Sequence, residues 1–161
     1  MTSTDIFDLI RVKNRTLNQW EQYYRQAELQ SCPRSIQFST GTRCNLKCRF
    51  CDHYGHGNET FRDLSLDEVR TIIEDGGWKQ AFLQADTVSL FGWGEPLFNR
   101  DYEAIFNYIV EHFPGLGIVI STNGILFDEK WAHNILPIKN SVVNFSLNAA
   151  SPDIYQKLTK S

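Results

Sequence analysis

The stretch GTRCNLKCRFCDH, residues 41–53, places Cys44, Cys48 and Cys51 within eight positions. The chain has four cysteines in all, and the fourth, Cys32, lies outside this stretch. Gaps of three and two residues make a poor disulfide framework, and clustered thiols in a reducing compartment more often bind metal or serve catalysis. The three clustered cysteines are therefore predicted to be metal ligands.

Length and composition indicate a globular protein with a single core. The 161 residues are 42% hydrophobic and 22% charged, which is ordinary for a soluble domain. The net charge is -3 and no long run of Lys or Arg occurs, so neither a nucleic acid nor an anionic membrane is expected as partner. The N-terminal residues show no basic stretch followed by an apolar core, so the expected location is the cytoplasm.

Four β-rich runs alternate with helical patterns along the chain. The runs are SIQFS (35–39), TVSLF (87–91), GIVIS (117–121) and VVNFSL (142–147). A helical pattern over residues 4–30 precedes them, with apolar residues at roughly helical spacing. Such alternation predicts parallel strands joined by helical crossovers.

Several short signals mark where the intervening helices begin and end. Ser65 with Glu68 forms a capping box, and glycines 76 and 77 end the helix that follows. An amphipathic stripe runs from position 102 to 113 before a Pro-Gly pair. Asp128 is a predicted cap, and Ser151 precedes a proline suited to the first helical position.

Side-chain alternation along the strands favours a barrel over an open doubly wound sheet. One face is apolar and is expected under the helices; it carries Ile36, Phe38, Val88, Leu90, Ile118, Ile120, Val143, Phe145 and Leu147. The other face is polar and is expected to line a lumen; it carries Gln37, Ser39, Thr87, Ser89, Ser121, Asn144 and Ser146. A doubly wound sheet is covered on both faces and has no polar side. The alternative is an antiparallel α+β sheet with one wet face.

The segments with chemical character follow the strands, where barrel enzymes carry their active sites. The cysteine stretch follows the first strand, GWGEP (92–96) the second, TNG (122–124) the third and NAAS (148–151) the fourth. Three thiolates suit a [4Fe-4S] cluster that keeps one iron open for chemistry. The alternatives are a non-catalytic zinc or iron-sulfur module, with Cys32, His53 or His56 as fourth ligand, and a helix face with three buried cysteines.

The spacing C-x3-C-x-aromatic-C, with Phe50 at the aromatic position, resembles the signature of radical S-adenosylmethionine (radical SAM) enzymes. GWGEP is similar to the Gly-Gly-Glu-Pro element of that family, with Trp93 where a glycine is usual. The resemblance runs from about Ser35 to the C-terminus. CNLKCRFC, TNG and FSLNAASPDIYQKL together resemble members that carry a C-terminal cluster domain of the SPASM or Twitch type and often modify peptides.

The resemblance implies a catalytic mechanism. S-adenosylmethionine binds the open iron through its amino and carboxylate groups, and the reduced cluster cleaves it to a 5'-deoxyadenosyl radical. That radical abstracts hydrogen from an unidentified substrate, such as a peptide, a protein or a small molecule. An external electron donor such as flavodoxin or ferredoxin is implied, and no catalytic residue is assigned beyond the cluster.

The resemblance also implies which residues hold S-adenosylmethionine. Glu95 and the backbone from Gly92 through Trp93 to Gly94 are expected at the methionyl ammonium, and backbone near Phe50 at the adenine. Ser146 and Asn148 are expected at the ribose or carboxylate, with Asn123 assisting. Simpler readings stay open, because Glu95-Pro96 suits a plain turn, Asn123-Gly124 suits a hairpin, and Ser146 suits lumen filling.

The fold expected from these patterns is an α/β partial TIM-type barrel with four βα units of the six usual for the family. Residues 1–31 form an N-terminal helical extension, and residues 32–161 form the radical SAM core. With two units absent, the fourth strand would be an exposed edge, which favours association. We expect a piece of a longer enzyme that self-associates, or else a short member completed by dimerisation or by a partner chain.

Replacing Cys44, Cys48 or Cys51 by Ala is expected to abolish stable cluster binding, because each supplies one iron ligand. Cys32→Ala is expected to retain the cluster, because this residue precedes the first strand. The measurement is the iron content of anaerobically prepared protein, with about four irons per chain expected for a brown, cluster-bound form and none for a colourless zinc form. Equal iron loss in Cys32→Ala would overturn the three-ligand assignment.

Overall fold

The computed structural model describes residues 3–53, 61–75 and 77–160. His56 and Gly76, which carried sequence predictions, lie outside these ranges. The helices are α1 (Ser3–Tyr23), α2 (Leu66–Asp75), α3 (Trp78–Gln84), α4 (Tyr102–His112), α5 (Glu129–Ile135) and α6 (Pro152–Thr159), with a 3-10 helix at Pro96–Phe98. The strands are β1 (Ser35–Gln37), β2 (Thr87–Ser89), β3 (Gly117–Thr122) and β4 (Val142–Phe145). No helix in the described ranges has the length and apolar character needed to span a membrane.

The four strands form one parallel sheet in the order β1-β2-β3-β4. Ile36 of β1 is paired with Val88 of β2, and Val88 with Ile118 of β3. This confirms the predicted parallel order and rules out the antiparallel alternative. Strands β1, β2 and β4 end two residues earlier than predicted, so the final residues of those runs belong to the loops.

The core lies on one side of the sheet, beneath the helices. Its members are Ile36, Val69, Ile73, Phe82, Ala85, Val88, Leu90, Tyr102, Ile105, Phe106, Tyr108, Ile109, Phe113, Leu116, Ile118, Ile120 and Ile135. The predicted apolar face is correct through Val143, which packs against this cluster. It is wrong for Phe145 and Leu147, which are 50% and 81% exposed, because β4 is the outermost strand and its final residues extend past the core.

The predicted helix ends are largely confirmed. Ser65 and Glu68 exchange the hydrogen bonds of a capping box, and Asp128 accepts a bond from the Trp131 backbone N–H. Ser151 precedes α6 as predicted, but its side chain makes no capping bond. Helix α3 was not predicted, because its seven residues are too few for a periodic pattern and no side-chain cap marks its start.

Helix α1 is attached to the domain through polar side chains. Arg11 donates from Nε to the Ala85 carbonyl at 2.9 Å and from Nη1 to the Pro114 carbonyl at 3.0 Å. Asn14 donates to the Cys32 carbonyl and accepts from the Cys32 N–H. Burial lowers the pKa of Arg11. The extension therefore contacts the amino-terminal side of the sheet, although its boundary at residue 31 remains a prediction.

Arg11→Met is expected to lower the free energy of unfolding by about 2–4 kcal/mol, because two backbone carbonyls lose their donor. Arg15→Met is a matched control from the same helix, since Arg15 makes a half-exposed ion pair with Asp86. Its expected cost is at most about 1 kcal/mol. Urea unfolding of both variants gives the comparison. Equal costs would show that Arg11 does not anchor α1.

Candidate functional site

The loops at the carboxyl ends of the strands meet around a cavity of about 260 Å³. It brings together most of the residues selected from the sequence and adds four others. The lining residues are Cys44, Leu46, Cys48, Phe50, Cys51, Phe91, Gly92, Gly94, Glu95, Ser121, Thr122, Asn123, Ser146 and Asn148. Three thiols, one carboxylate and several hydroxyl and amide groups therefore share one concave site.

The cysteine loop is held in place by the far end of the chain. The Lys47 N–H donates to the Thr159 carbonyl at 3.1 Å, and the Arg49 N–H donates to the Leu158 carbonyl at 2.8 Å. Both acceptors lie at the C-terminal end of α6, where helix carbonyls lack partners within the helix. Leu46 is buried beside these bonds. Sequence reasoning missed this contact, because the partners are more than 100 residues apart.

The two glycines of GWGEP are required by close packing. Gly94 has a φ of +85°, and a Cβ there would lie 2.4 Å from the Arg43 carbonyl oxygen. The next residue, Glu95, donates its N–H to that same carbonyl at 2.8 Å. A Cβ on Gly92 would lie 2.5 Å from the Ser39 Cβ. The loop after β2 therefore lies directly against the start of the cysteine loop.

Trp93 is the one predicted cofactor residue that does not line the thiol cavity. Its side chain is 58% exposed and borders a separate cavity of about 470 Å³ with Gln37, Ser39 and Gly92. The indole lies 5.7 Å from the His53 ring, centroid to centroid. His53 in turn contacts the Thr42 carbonyl through Nε2. The bulky replacement for glycine is thus accommodated outside the thiol cavity.

Glu95 joins the loops after β2 and β3 through its buried carboxylate. Oε1 accepts from the Thr122 hydroxyl at 2.7 Å and from the Leu97 N–H at 3.3 Å, and Oε2 accepts from the Asn123 N–H at 2.8 Å. Burial raises the pKa of Glu95, while these donors oppose the rise. Since each carboxylate oxygen can accept about two bonds, Oε2 retains capacity for one more donor. Glu95 therefore fixes the turn and keeps acceptor capacity at Oε2.

Asn123 connects the end of β3 to the cysteine loop. Its Nδ2 donates to Asn45 Oδ1 at 2.7 Å, and its Oδ1 accepts from the Ile125 N–H at 3.0 Å. Asn45 and Thr122 lie in segments that the sequence singled out, but neither was assigned a role, because their partners Asn123 and Glu95 are 78 and 27 residues away. The hairpin reading of Asn123-Gly124 is wrong, since β3 pairs in parallel with β4.

Ser146 and Asn148 reach the cavity from the end of β4. The Ser146 N–H donates to the Thr122 carbonyl at 2.9 Å, which extends the strand pairing by one residue. Asn148 donates from Nδ2 to the Ser146 carbonyl at 3.2 Å. Both residues are exposed, and both line the cavity that contains the thiols.

The environment of the thiol cavity disfavours the ionisation of Cys44 and Cys48. Burial raises the pKa of Cys44, and the charges of Glu95, Cys48 and Cys51 raise it further. Burial and the charge of Cys51 likewise raise the pKa of Cys48. A bound cation would reverse this effect, because a coordinating thiol is deprotonated by the metal.

The three thiols lie on one loop and line one cavity, as the ligands of a single iron-sulfur cluster must. Among the described residues, no three His, Cys, Asp or Glu side chains converge closely enough to hold one ion. In an iron-sulfur cluster each thiolate binds a different iron, so the sulfurs stand further apart than around one zinc. Cys32 lies before β1, at the opposite end of the sheet from these three. The residues present therefore fit a [4Fe-4S] group held by Cys44, Cys48 and Cys51.

A parallel βα sheet with three thiols on the loop after its first strand is typical of partial-barrel enzymes that bind an iron-sulfur cluster. The family model described as the Radical SAM superfamily matches residues 38–161, and the chain belongs to this superfamily. Enzymes of this family use a [4Fe-4S] cluster and S-adenosylmethionine. The resemblance drawn from the two motifs is thereby confirmed, whereas membership of the SPASM or Twitch subset remains a prediction.

Solved structures support the fold. The chain superposes on SuiB of Streptococcus suis bound to S-adenosylmethionine with a TM-score of 0.63 and 20% identity, covering 91% of this chain and 32% of SuiB. BtrN in complex with AdoMet and 2-DOIA gives 0.60 and 17%, covering 78% of this chain and 50% of BtrN. These likenesses confirm the predicted partial TIM barrel.

Curated relatives are more similar in sequence. A probable GTP 3',8-cyclase of Methanococcus maripaludis is 32% identical over 126 residues, covering 78% of this chain and 40% of the relative. Fe-coproporphyrin III synthase of Methanosarcina barkeri is 35% identical over 106 residues, covering 66% of this chain and 25% of the relative. The chain thus spans about 40% or less of the length of these relatives.

Glu95→Ala is expected to lower the free energy of unfolding by about 2–4 kcal/mol, because a buried hydroxyl and a backbone N–H lose a charged acceptor. Thr122→Val is the comparison variant that keeps the shape and removes only the hydroxyl, which donates to Glu95 and accepts from the Gly124 N–H, and its expected cost is about 1–2 kcal/mol. Urea unfolding of the metal-free protein measures both. A cost for Glu95→Ala within error of zero would show that the carboxylate does not join the two loops.

Proposed function

We propose that this chain is the cofactor-binding part of a radical SAM enzyme, with Cys44, Cys48 and Cys51 as the ligands of a [4Fe-4S] cluster. The observation that carries this proposal is the shared cavity, in which the three thiols lie with Glu95 and the polar end of β4. Bound there, the cluster and S-adenosylmethionine supply one-electron chemistry that yields a radical able to abstract hydrogen.

The loop after β2 binds the methionyl end of S-adenosylmethionine in this proposal. Glu95 Oε2 accepts a hydrogen bond from the methionyl ammonium, a charge-assisted bond made in a buried setting. The backbone of Gly92, Trp93 and Gly94 lies beside the methionyl ammonium. Glycine is required at 92 and 94 because a Cβ at either position would collide with the neighbouring loop.

The remaining predicted residues position the rest of S-adenosylmethionine. Ser146 and Asn148 bind the ribose or carboxylate through a hydroxyl and an amide at the end of β4. Backbone near Phe50 meets the adenine, and the Phe50 ring is 53% exposed at the rim. Asn123 assists through its backbone carbonyl, since its N–H and both polar atoms of its side chain already have partners. Leu46 and Phe91 give the cavity apolar walls that limit the entry of water.

The proposed substrate is a small organic molecule. The two curated relatives are named for GTP and for an iron coproporphyrin, both of which contain flat conjugated rings. SuiB, which has been crystallised with a precursor peptide, is similar to this chain at a level that shows the fold alone. GTP is therefore the first compound to test, ahead of the peptide expected from the sequence motifs.

The proposal also covers the electron donor, the cellular location and the division of the chain. A small electron carrier such as flavodoxin or ferredoxin donates the electron, and the reducing cytoplasm keeps the thiols available for the cluster. Residues 32–161 form the catalytic core and residues 1–31 an added helical element. A zinc-binding module is the competing function. Measuring the iron and zinc content of anaerobically prepared protein distinguishes the two.

Anaerobic protein with a reconstituted cluster is expected to convert S-adenosylmethionine into methionine and 5'-deoxyadenosine in equal amounts when dithionite is present. Cys32→Ala should do the same, and Cys48→Ala should form neither product. Liquid chromatography with mass detection measures both compounds. Absence of cleavage by protein that holds about four irons would contradict the function. A GTP-dependent change in product formation would support GTP as substrate, and its absence would reject GTP alone.

A further inference from the structure

We propose that an acidic one-electron carrier protein docks on a basic patch formed by Lys47, Arg49, Lys157 and Lys160. The inference rests on the proposed function, because a carrier of this kind is needed only if the protein holds a cluster that must be reduced. All four residues of the basic patch are exposed. Two belong to the cysteine loop and two to the C-terminal end of α6.

Two backbone hydrogen bonds bring the halves of the basic patch together. The N–H groups of Lys47 and Arg49 donate to carbonyls in the last turn of α6, at 3.1 and 2.8 Å. Lys157 lies in that same turn, and Lys160 follows the helix as its C-terminal cap. The four basic residues therefore come from two segments that are in direct contact, although more than 100 residues separate them in sequence.

The basic residues of the cysteine loop lie on its outer side, and its apolar and thiol groups lie on the inner side. Leu46 is 3% exposed and Cys48 lines the thiol cavity, whereas Lys47 and Arg49 are exposed. Cys48 is thus flanked in sequence by two exposed cations. A cluster bound to the Cys48 sulfur would lie directly behind them. Because electron transfer slows steeply with distance, a protein docked on this surface is well placed to reduce the cluster.

The charges of the basic patch are not used within the domain. Of the 16 Lys and Arg residues, eight form ion pairs with carboxylates, and these eight are Arg11, Arg15, Arg34, Arg43, Arg62, Arg70, Lys79 and Lys130. Within the described ranges, no residue of the basic patch forms such a pair. Four of the eight remaining cations are therefore gathered at one place.

The sign of this surface is opposite to that of the whole chain. Residues 44–52 and 152–160 hold the four cations and two carboxylates, Asp52 and Asp153, which leaves a net charge of +2. The chain as a whole carries -3. A charged surface of this kind is stable in water and needs no cover from its own chain, unlike an exposed apolar face. Its effect is on an approaching partner, because it attracts and orients a molecule of opposite charge.

The partner that fits this surface is an acidic electron carrier such as a flavodoxin or a ferredoxin. Its negative surface complements the basic patch, and its redox group would approach the cluster from the side of Cys48. In the transfer the carrier is oxidised by one electron and the cluster is reduced by one, with no bond made or broken. Charge attraction of this type increases the rate of encounter and weakens as salt is added.

Binding of an oxidised flavodoxin to the 161-residue chain, with and without the reconstituted cluster, tests the docking without turnover. Isothermal titration calorimetry gives the dissociation constant, and circular dichroism verifies folding. The double variant Lys47→Glu/Lys157→Glu should raise this constant about tenfold or more. The matched control is Lys13→Glu/Lys139→Glu, which makes the same change in net charge at two exposed residues near the amino-terminal side of the sheet. It should alter the constant by about twofold at most, because salt screens distant charges.

Cleavage of S-adenosylmethionine with two reductants separates docking from chemistry. With dithionite, which needs no docking surface, Lys47→Glu/Lys157→Glu should cleave at the wild-type rate. With reduced flavodoxin below saturation, the same variant should cleave about tenfold more slowly or worse, and the Lys13→Glu/Lys139→Glu control should not. Absence of cleavage with dithionite in protein of full iron content would contradict the proposed function, whereas the flavodoxin affinities judge the docking separately.

Four results would overturn the docking proposal. The first is a flavodoxin that does not bind, and the second is equal weakening of its binding in both double variants. The third is equal slowing of Lys47→Glu/Lys157→Glu with both reductants, because the charges would then act on the cluster itself. The fourth is a DNA oligonucleotide that binds as tightly as flavodoxin and is lost in the same variant, which would make the basic patch a general polyanion site.

Discussion

The carboxylate of Glu95 is the group on which the geometry of the site depends. It accepts hydrogen bonds from Thr122, Asn123 and Leu97, and so fixes the loop after β2 to the end of β3. Asn123 then binds Asn45 in the cysteine loop, whose backbone is held by the last turn of α6. These links make one hydrogen-bonded chain across all four strand ends. Thiols from a short loop are thereby placed beside polar groups that are distant in sequence.

The cysteine loop places three thiols in a setting that favours the neutral form of Cys44 and Cys48. Burial raises the pKa of Cys44 and Cys48, and the charge of Cys51 close to both raises it further. A cationic iron cluster offsets this effect and converts thiols into thiolates. The same environment contains Glu95, whose carboxylate suits a ligand with a positive amino group. The proposed sites for the metal and for S-adenosylmethionine are thus adjacent in one cavity, which three thiols and one carboxylate line.

Local signals in the sequence were sufficient for the sheet, several helix caps and the cysteine loop. The period-two alternation predicted which strand residues face the core, and Asp128 and Ser65 predicted helix starts, because these effects act over a few residues. The exposure of Ile6, Leu9 and Trp20 on α1 was not predictable, since the helix is oriented by Arg11, which reaches carbonyls more than 70 residues away. The same holds for Asn45 and for the contact of α6 with the cysteine loop. Phe145 and Leu147 were misassigned because alternation does not reveal how far the covering layer extends.

Electron paramagnetic resonance of the reduced protein, with and without S-adenosylmethionine, tests the central claim most directly. The claim is that three cysteines hold a cluster whose remaining iron is open to S-adenosylmethionine. It predicts a cluster signal in protein with about four irons per chain and a changed signal when S-adenosylmethionine is added. The Cys32→Ala protein should behave identically. A signal that S-adenosylmethionine leaves unchanged, in protein with full iron content, would contradict the account.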